Sequence, residues 1–239
     1  MSDLPAAWRS YEWRGRQERI AEIGGDGPVV LFLAPFFEEA NRTRHLLIET
    51  MRALGRQGYR CALPDMPGTL ESLTPLASLD WPDWTGATAA AAAATGATHT
   101  VSLRGGALLD GAVDVETRWR LAPAEGSALL RDLVRIRMAA DREDGATASA
   151  AEVEAQALSV PFEVAGYRIA PGFVHALKSA TTINAAPLRV ARLATDAQPA
   201  DIKLPGQPLW RRSEPEHDPV LSESIATDIA DWIKTCANG

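Results

Sequence analysis

Cysteine is scarce in this sequence: Cys61 and Cys236 are the only two among 239 residues. One lies in an apolar stretch and the other near the C-terminus, so neither a disulfide framework nor a paired-cysteine metal motif is available. Histidine occurs four times, and His45, His99 and His175 are scattered without ligand spacing, so no metal and no other cofactor is expected. There is no run of the roughly 18 apolar residues that a membrane span needs. The opening MSDLPAAWRSYEWRGR lacks the apolar core of a secretory signal, which makes a reducing cytoplasm the expected location. Lys/Arg tracts are missing as well, and with a formal net charge of −7 neither nucleic acid nor an anionic membrane is an expected partner. Tyrosine is rare, at three, against seven tryptophans, a ratio that buried structural tryptophans explain.

What is present is an alternation of apolar runs and helical patterns. Trp8 to Ile23 reads as one or two strands, forming a hairpin at a sheet edge. After the turn Gly24-Gly25-Asp26-Gly27-Pro28, Val29 to Ala34 is a continuous apolar run, the mark of a strand buried on both faces. A helical pattern follows from Asn41 to about Gln57, stopped by Gly58, and then a short strand, Tyr59 to Leu63. Strand, helix, strand in this order make a right-handed parallel unit. The pattern repeats: a helix over Trp81 to Thr95 with the alanine run 89–94, a strand over Thr98 to Leu103, a further helix from Gly105 to Gly111, a strand over Thr117 to Leu121 and a helix over Gly126 to Ala140. The rhythm breaks between Asp141 and Ala180, where an insertion or lid is expected, with a short helix over Ala150 to Ser159 and another ending at Ser179. Leu188 to Leu193 restores the strand pattern, Gln207 to Arg212 gives a last short strand, and Pro219 to Thr235 closes the chain as an amphipathic helix. The expectation is one α/β domain over 1–239, a doubly wound, mostly parallel sheet with an insertion at 141–180 before the penultimate strand.

The junction after the Thr98 to Leu103 strand reads Ser102-Leu103-Arg104-Gly105-Gly106. In α/β-hydrolases the nucleophile sits on a strained strand-to-helix turn of form G-x-S-x-G. Gly106 matches the last glycine, Ser102 stands at the first, and Arg104 falls on the nucleophile. A guanidinium cannot attack at neutral pH; it can bind a carboxylate or phosphate, or pair with a neighbouring carboxylate as a structural plug. Ser102 is a poorer nucleophile candidate, two residues inside the strand and without flanking glycines. His217 lies between the last strand and the last helix, where such folds carry their histidine, and Asp196 follows the preceding strand, ahead of the weaker candidate Asp201. They are the candidate catalytic pair. The loop after the first buried strand supplies one oxyanion donor in this fold and the residue after the nucleophile the other, which points to Phe36, beside Phe37, and to Gly105. Glu38 is a candidate partner for Arg104 or Arg42, and Glu39 reads as a helix N-terminal charge.

LFLAPFFEEANRTRH (Leu31 to His45), SLRGGALL (Ser102 to Leu109), VAGYRIAPGFVHAL (Val164 to Leu177) and PLWRRSEPEHDPVL (Pro208 to Leu221) resemble the α/β-hydrolase-like proteins of exosortase A systems, the second of the two hydrolase types found there. The resemblance implies that arginine at the elbow is a family feature. It also implies an association with exopolysaccharide production and protein sorting in Gram-negative bacteria. A generic hydrolase often has D-x-x-G-x-G-x-S where this chain has ALPDMPGTLES (Ala62 to Ser72). Two functions follow as expectations. One is a protein without the usual serine nucleophile that binds a small acidic ligand or a partner near Arg104. The other is an ester or thioester hydrolase using His217 and Asp196 with an unconventional nucleophile. A homodimer is the expected assembly on base rates alone.

Overall fold

A strand covered on both faces sends alternate side chains into two cores, and the apolar run Val29–Leu33 does so. In the computed structural model, which describes residues 4–143, 145, 147–212 and 214–238, this run is β3. Leu31 and Leu33 face one core with Trp84 and Leu130, whereas Val30 and Phe32 face another with Leu46, Met51 and Ile229. Neighbouring strands repeat the division, and the sheet therefore lies between two helical layers.

The elements in chain order are β1 (Ala7–Trp13), β2 (Arg16–Gly24), β3 (Val29–Leu33), α1 (Glu38–Arg56), β4 (Arg60–Pro64), α2 (Trp81–Thr95), β5 (His99–Leu103), β6 (Thr117–Leu121), α3 (Gly126–Glu143), α4 (Ala150–Ala157), β7 (Phe162–Val164), β8 (Tyr167–Ile169), α5 (Pro171–Ser179), β9 (Leu188–Leu193), β10 (Ile202–Leu204) and α6 (Pro219–Ala237). The main sheet has the order β1-β2-β4-β3-β5-β6-β9-β10. β1 and β2 form the antiparallel hairpin at one edge, β2 runs antiparallel to β4, and every pairing from β4 to β10 is parallel.

Local chemistry sets the ends of the helices. Asp80 caps α2 by accepting from the Asp83 backbone N–H, and Asp83 returns the bond, while Gly96 ends the helix in the left-handed region at φ 68°. This reciprocal cap and glycine stop fix the limits of an otherwise featureless alanine helix. Asp218 caps α6 by accepting from Leu221 N–H at 2.9 Å. The buried side of α6 carries Leu221, Ile225, Ile229 and Ile233. Trp232 is half-buried and donates its indole N–H to the Arg118 carbonyl at 3.2 Å.

Four local expectations need correction. The stretch Gly105 to Gly111 is not an α-helix but two 3-10 turns, Arg104–Leu108 and Asp110–Ala112. Glycines at 105 and 106 favour helix weakly, and the Asp110 carboxylate is drawn to Arg120. Gln207 to Arg212 is not a strand: Leu209–Arg211 is a 3-10 turn after Pro208, and the last strand is Ile202–Leu204, paired with Ala191–Leu193. α1 begins at Glu38, three residues before Asn41. Within 141–180, a hairpin of β7 and β8 precedes α5. The buried side chains of that segment, among them Val153, Phe162, Ile169 and Phe173, join the same core as Trp84.

Candidate functional site

Three strands that are neighbours in the sheet, β3, β5 and β6, each lead into a residue held at positive φ: Phe37 at 54°, Arg104 at 53° and Ala122 at 46°. Side chains other than glycine rarely accept this backbone. At Arg104 the packing around the turn imposes it. A Cβ on Gly106 would lie 2.2 Å from the Leu33 carbonyl oxygen and 2.7 Å from that of Ala34, and one on Gly105 would meet Leu129 and Phe36. The turn after β5 thus has the strain and close approach of a nucleophile elbow, with arginine at its apex.

The Arg104 guanidinium is held on two sides. Its Nε lies 3.3 Å from each Glu39 carboxylate oxygen, and Nη2 lies 3.0 Å from Glu39 Oε1 and 3.3 Å from Asp132 Oδ2. Asp132 also accepts from Arg135 at 3.0 Å. Trp210 lies beneath the guanidinium, with Cζ 5.5 Å from the ring centroid, within cation–π range. Burial pushes the Glu39 carboxyl above its ordinary range, and the charge of Arg104 opposes this only in part. Glu38 is 3.7 Å from Arg42 instead, and accepts from Asn41, which also donates to the Tyr167 hydroxyl. The partner of Arg104 is therefore Glu39, the residue the sequence suggests as a mere helix-end charge.

Two cavities adjoin this cluster. The larger, about 1010 Å³, is lined by Arg104, Arg120, Arg131, Arg192 and Arg211, by Glu125, Asp196 and Asp201, and by Ser127, Thr182, Thr195 and Trp210. Three of the five arginines are already paired, Arg104 with Glu39 and Asp132 as above, whereas Arg131 and Arg211 are exposed and in no ion pair among the described residues. Arg120 grips the fully buried Asp110 with two bonds of 2.7 Å, which Ser102 joins at 3.3 Å; Arg192 donates to Asp196 at 2.8 Å. The smaller cavity, about 370 Å³, is lined by Phe36, Phe37, Leu129, Leu133 and Ile136 with Glu38, Glu39, Arg42, Asp132, Arg135, Trp210 and Arg211. Its aromatic wall continues inward, Phe36 onto Trp81 and Trp84 and Phe37 onto Trp84, Tyr167 and Phe173.

The structure brings Arg104, Gly105, Gly106, Phe36 and Phe37 together and places Asp196 in the same cavity as Arg104, but it does not bring His217 there. His217 is exposed and stacks on His45 of α1, ring centroids 4.3 Å apart. Asp196 is taken up by Arg192 and by the Gln198 backbone N–H, the latter holding its carboxyl below the usual range. Among the described residues no hydrogen bond joins Asp196 to His217, and no histidine lines either cavity. Asp132, Arg120, Arg192, Arg211 and Trp210 are site residues that sequence reasoning missed; Trp210 and Arg211, inside the segment Pro208 to Leu221, lay in a stretch already singled out.

No family model matches this chain, and no curated protein matches it either. Solved structures do. A protein described as a hydrolase from Agrobacterium vitis S4 superposes with a TM-score of 0.59 at 11% identity, over 96% of this chain and 99% of that one. The fold is that of the α/β-hydrolases. An epoxide hydrolase from Vigna radiata matches at 24% identity with a TM-score of 0.40, over 49% of this chain and 40% of that one. Epoxide hydrolase A from Mycobacterium thermoresistibile matches at 26% with a TM-score of 0.41, over 49% and 39%. The chain thus spans about two fifths of the length of these epoxide hydrolases. As an α/β-hydrolase fold, the molecule has its elbow after β5 and its cavities at the C-terminal ends of the parallel strands, where open α/β sheets bind ligands. Among the described residues, no helix is long and apolar enough to cross a membrane, and no three His, Cys, Asp or Glu side chains converge as metal ligands.

Proposed function

We propose that this α/β-hydrolase-fold protein works without serine catalysis and binds a small anionic ligand in the arginine-lined cavity at Arg104, within an exosortase- and exopolysaccharide-associated system of a Gram-negative cytoplasm. One observation carries the proposal: the elbow residue is an arginine, held by Glu39 and Asp132, and the cavity beside it holds the exposed Arg131 and Arg211, which no ion pair engages among the described residues. A positioned cation binds carboxylate or phosphate but cannot add to a carbonyl. The cavity offers hydroxyls at Ser127, Thr182 and Thr195; Thr182 donates to Glu125 at 2.8 Å, but none of the three stands at the elbow, and no histidine among the described residues lines the cavity as their base. The four segments quoted above support the cellular assignment by resemblance.

The test combines labelling, turnover and binding. The wild type is expected to take up no fluorophosphonate, to leave a chain-length series of p-nitrophenyl esters unhydrolysed, and to bind methyl phosphate in a way that Arg104→Ala weakens. Ester turnover that disappears in His217→Ala would overturn the proposal in favour of hydrolysis.

A further inference from the structure

The arginine cavity and the apolar cavity share two lining residues, Trp210 and Arg211. Trp210 is 5% exposed and forms the wall between them, and Arg211 is exposed, so the two openings meet at its side chain. Their chemistry differs. The apolar cavity presents Phe36, Leu129, Leu133 and Ile136; the other presents two exposed arginines, Arg131 and Arg211, that no ion pair engages among the described residues.

Resting on the anion site proposed above, we infer that the ligand is an anionic amphiphile, a single-chain phosphate or carboxylate. Its head lies in the arginine cavity within reach of Arg131 and Arg211. Its hydrocarbon part passes Arg211 into the cavity walled by Phe36, Leu133 and Ile136. A purely polar anion leaves the apolar cavity empty, and a neutral apolar molecule leaves Arg131 and Arg211 without a counter-charge. One molecule with both parts satisfies both.

The experiment is calorimetric titration of the full chain with methyl phosphate and with octyl phosphate, the latter below its micellar concentration. Octyl phosphate is expected to bind at least about ten-fold tighter, because burying roughly two methylenes suffices for that factor. Ile136→Trp, which fills the apolar cavity from its half-buried rim, is expected to abolish the difference while methyl phosphate binds as before. Arg211→Glu is expected to weaken both ligands by about ten-fold, as loss of a charged contact does. Equal binding of the two phosphates, both weakened by Arg211→Glu, overturns the amphiphile and leaves the anion site standing. An octyl advantage that survives Ile136→Trp overturns the placement of the chain. Binding of neither phosphate overturns the anion site itself.

Discussion

Arg104 and Glu39 form a two-pronged ion pair between the elbow after β5 and the first turn of α1, with side chains only 11% and 17% exposed. Such a pair is hard to undo from one side, since truncating one partner strands the other charge. Arg104→Ser, which rebuilds the elbow residue of a serine hydrolase, is therefore expected to yield a destabilised protein and no enzyme. The cost should be about 3–5 kcal/mol, the range for breaking a buried pair from one side, read from urea denaturation. Fluorophosphonate labelling of the variant should stay at background, because no histidine among the described residues lines the cavity to activate the new hydroxyl. Strong labelling would show that a base reaches the elbow after all.

The two elbow glycines differ in what surrounds them, and their alanine variants should differ likewise. At Gly106 a Cβ meets backbone oxygens of Leu33 and Ala34, which cannot move without breaking β3. At Gly105 it meets the Leu129 and Phe36 side chains, at 2.8 and 2.9 Å. Gly106→Ala is expected to cost more than about 3 kcal/mol or to prevent folding, and Gly105→Ala roughly 1–3 kcal/mol, the usual range for overpacking. Thermal melts of the two variants side by side check the order.

His99 gives the folded protein a pH dependence of definite sign. Its ring is buried at the start of β5, with Nδ1 2.9 Å from the Thr117 hydroxyl, and burial lowers its pKa below 6.5 while Glu116 opposes the shift. The unfolded chain therefore binds more protons than the folded one between the two pKa values, and stability rises with pH there. The contribution is fully present above the unfolded value and is lost as pH falls through the folded one. His99→Gln is expected to flatten the melting temperature against pH between about 5 and 7. An unchanged slope would assign the dependence to other groups.

Legibility in the sequence followed burial. Thr117–Leu121 and Leu188–Leu193 can be bounded to the residue from the alternation of apolar runs and turns, as can the helix Trp81–Thr95 with its aspartate cap. The β7–β8 hairpin has three-residue strands, too short for a period to show, and its turn at Ala165 and Gly166, both at positive φ, is marked only by one glycine. Leu209 and Trp210 resemble strand residues because they are buried, but they are buried from a turn between Pro208 and the approach to α6. Whether Glu38 or Glu39 meets Arg104 depends on where α1 starts and on which way each side chain points, and no pattern in the residues gives that. Arg104 itself could be placed at the elbow by counting strands, whereas Asp132, one turn and a half into α3, enters the site only through the packing of α3 beside the elbow.

Trp210 offers a variant whose two effects on stability should nearly cancel. Its indole Nε1 is buried without a partner among the described residues, while its ring carries the Arg104 guanidinium on one face and its carbonyl accepts from Arg42 at 3.4 Å. Trp210→Phe keeps an aromatic face and the backbone bond but removes the N–H. Losing ring area costs stability, and removing an unmatched buried donor returns about 1–3 kcal/mol, so the unfolding free energy should stay within about 1 kcal/mol of wild type. Affinity for methyl phosphate should be kept, because the N–H is covered and the aromatic face under Arg104 remains. Urea denaturation and calorimetry on the same preparation check both, and a loss of more than about 2 kcal/mol would show that the missing ring packing outweighs the removed donor.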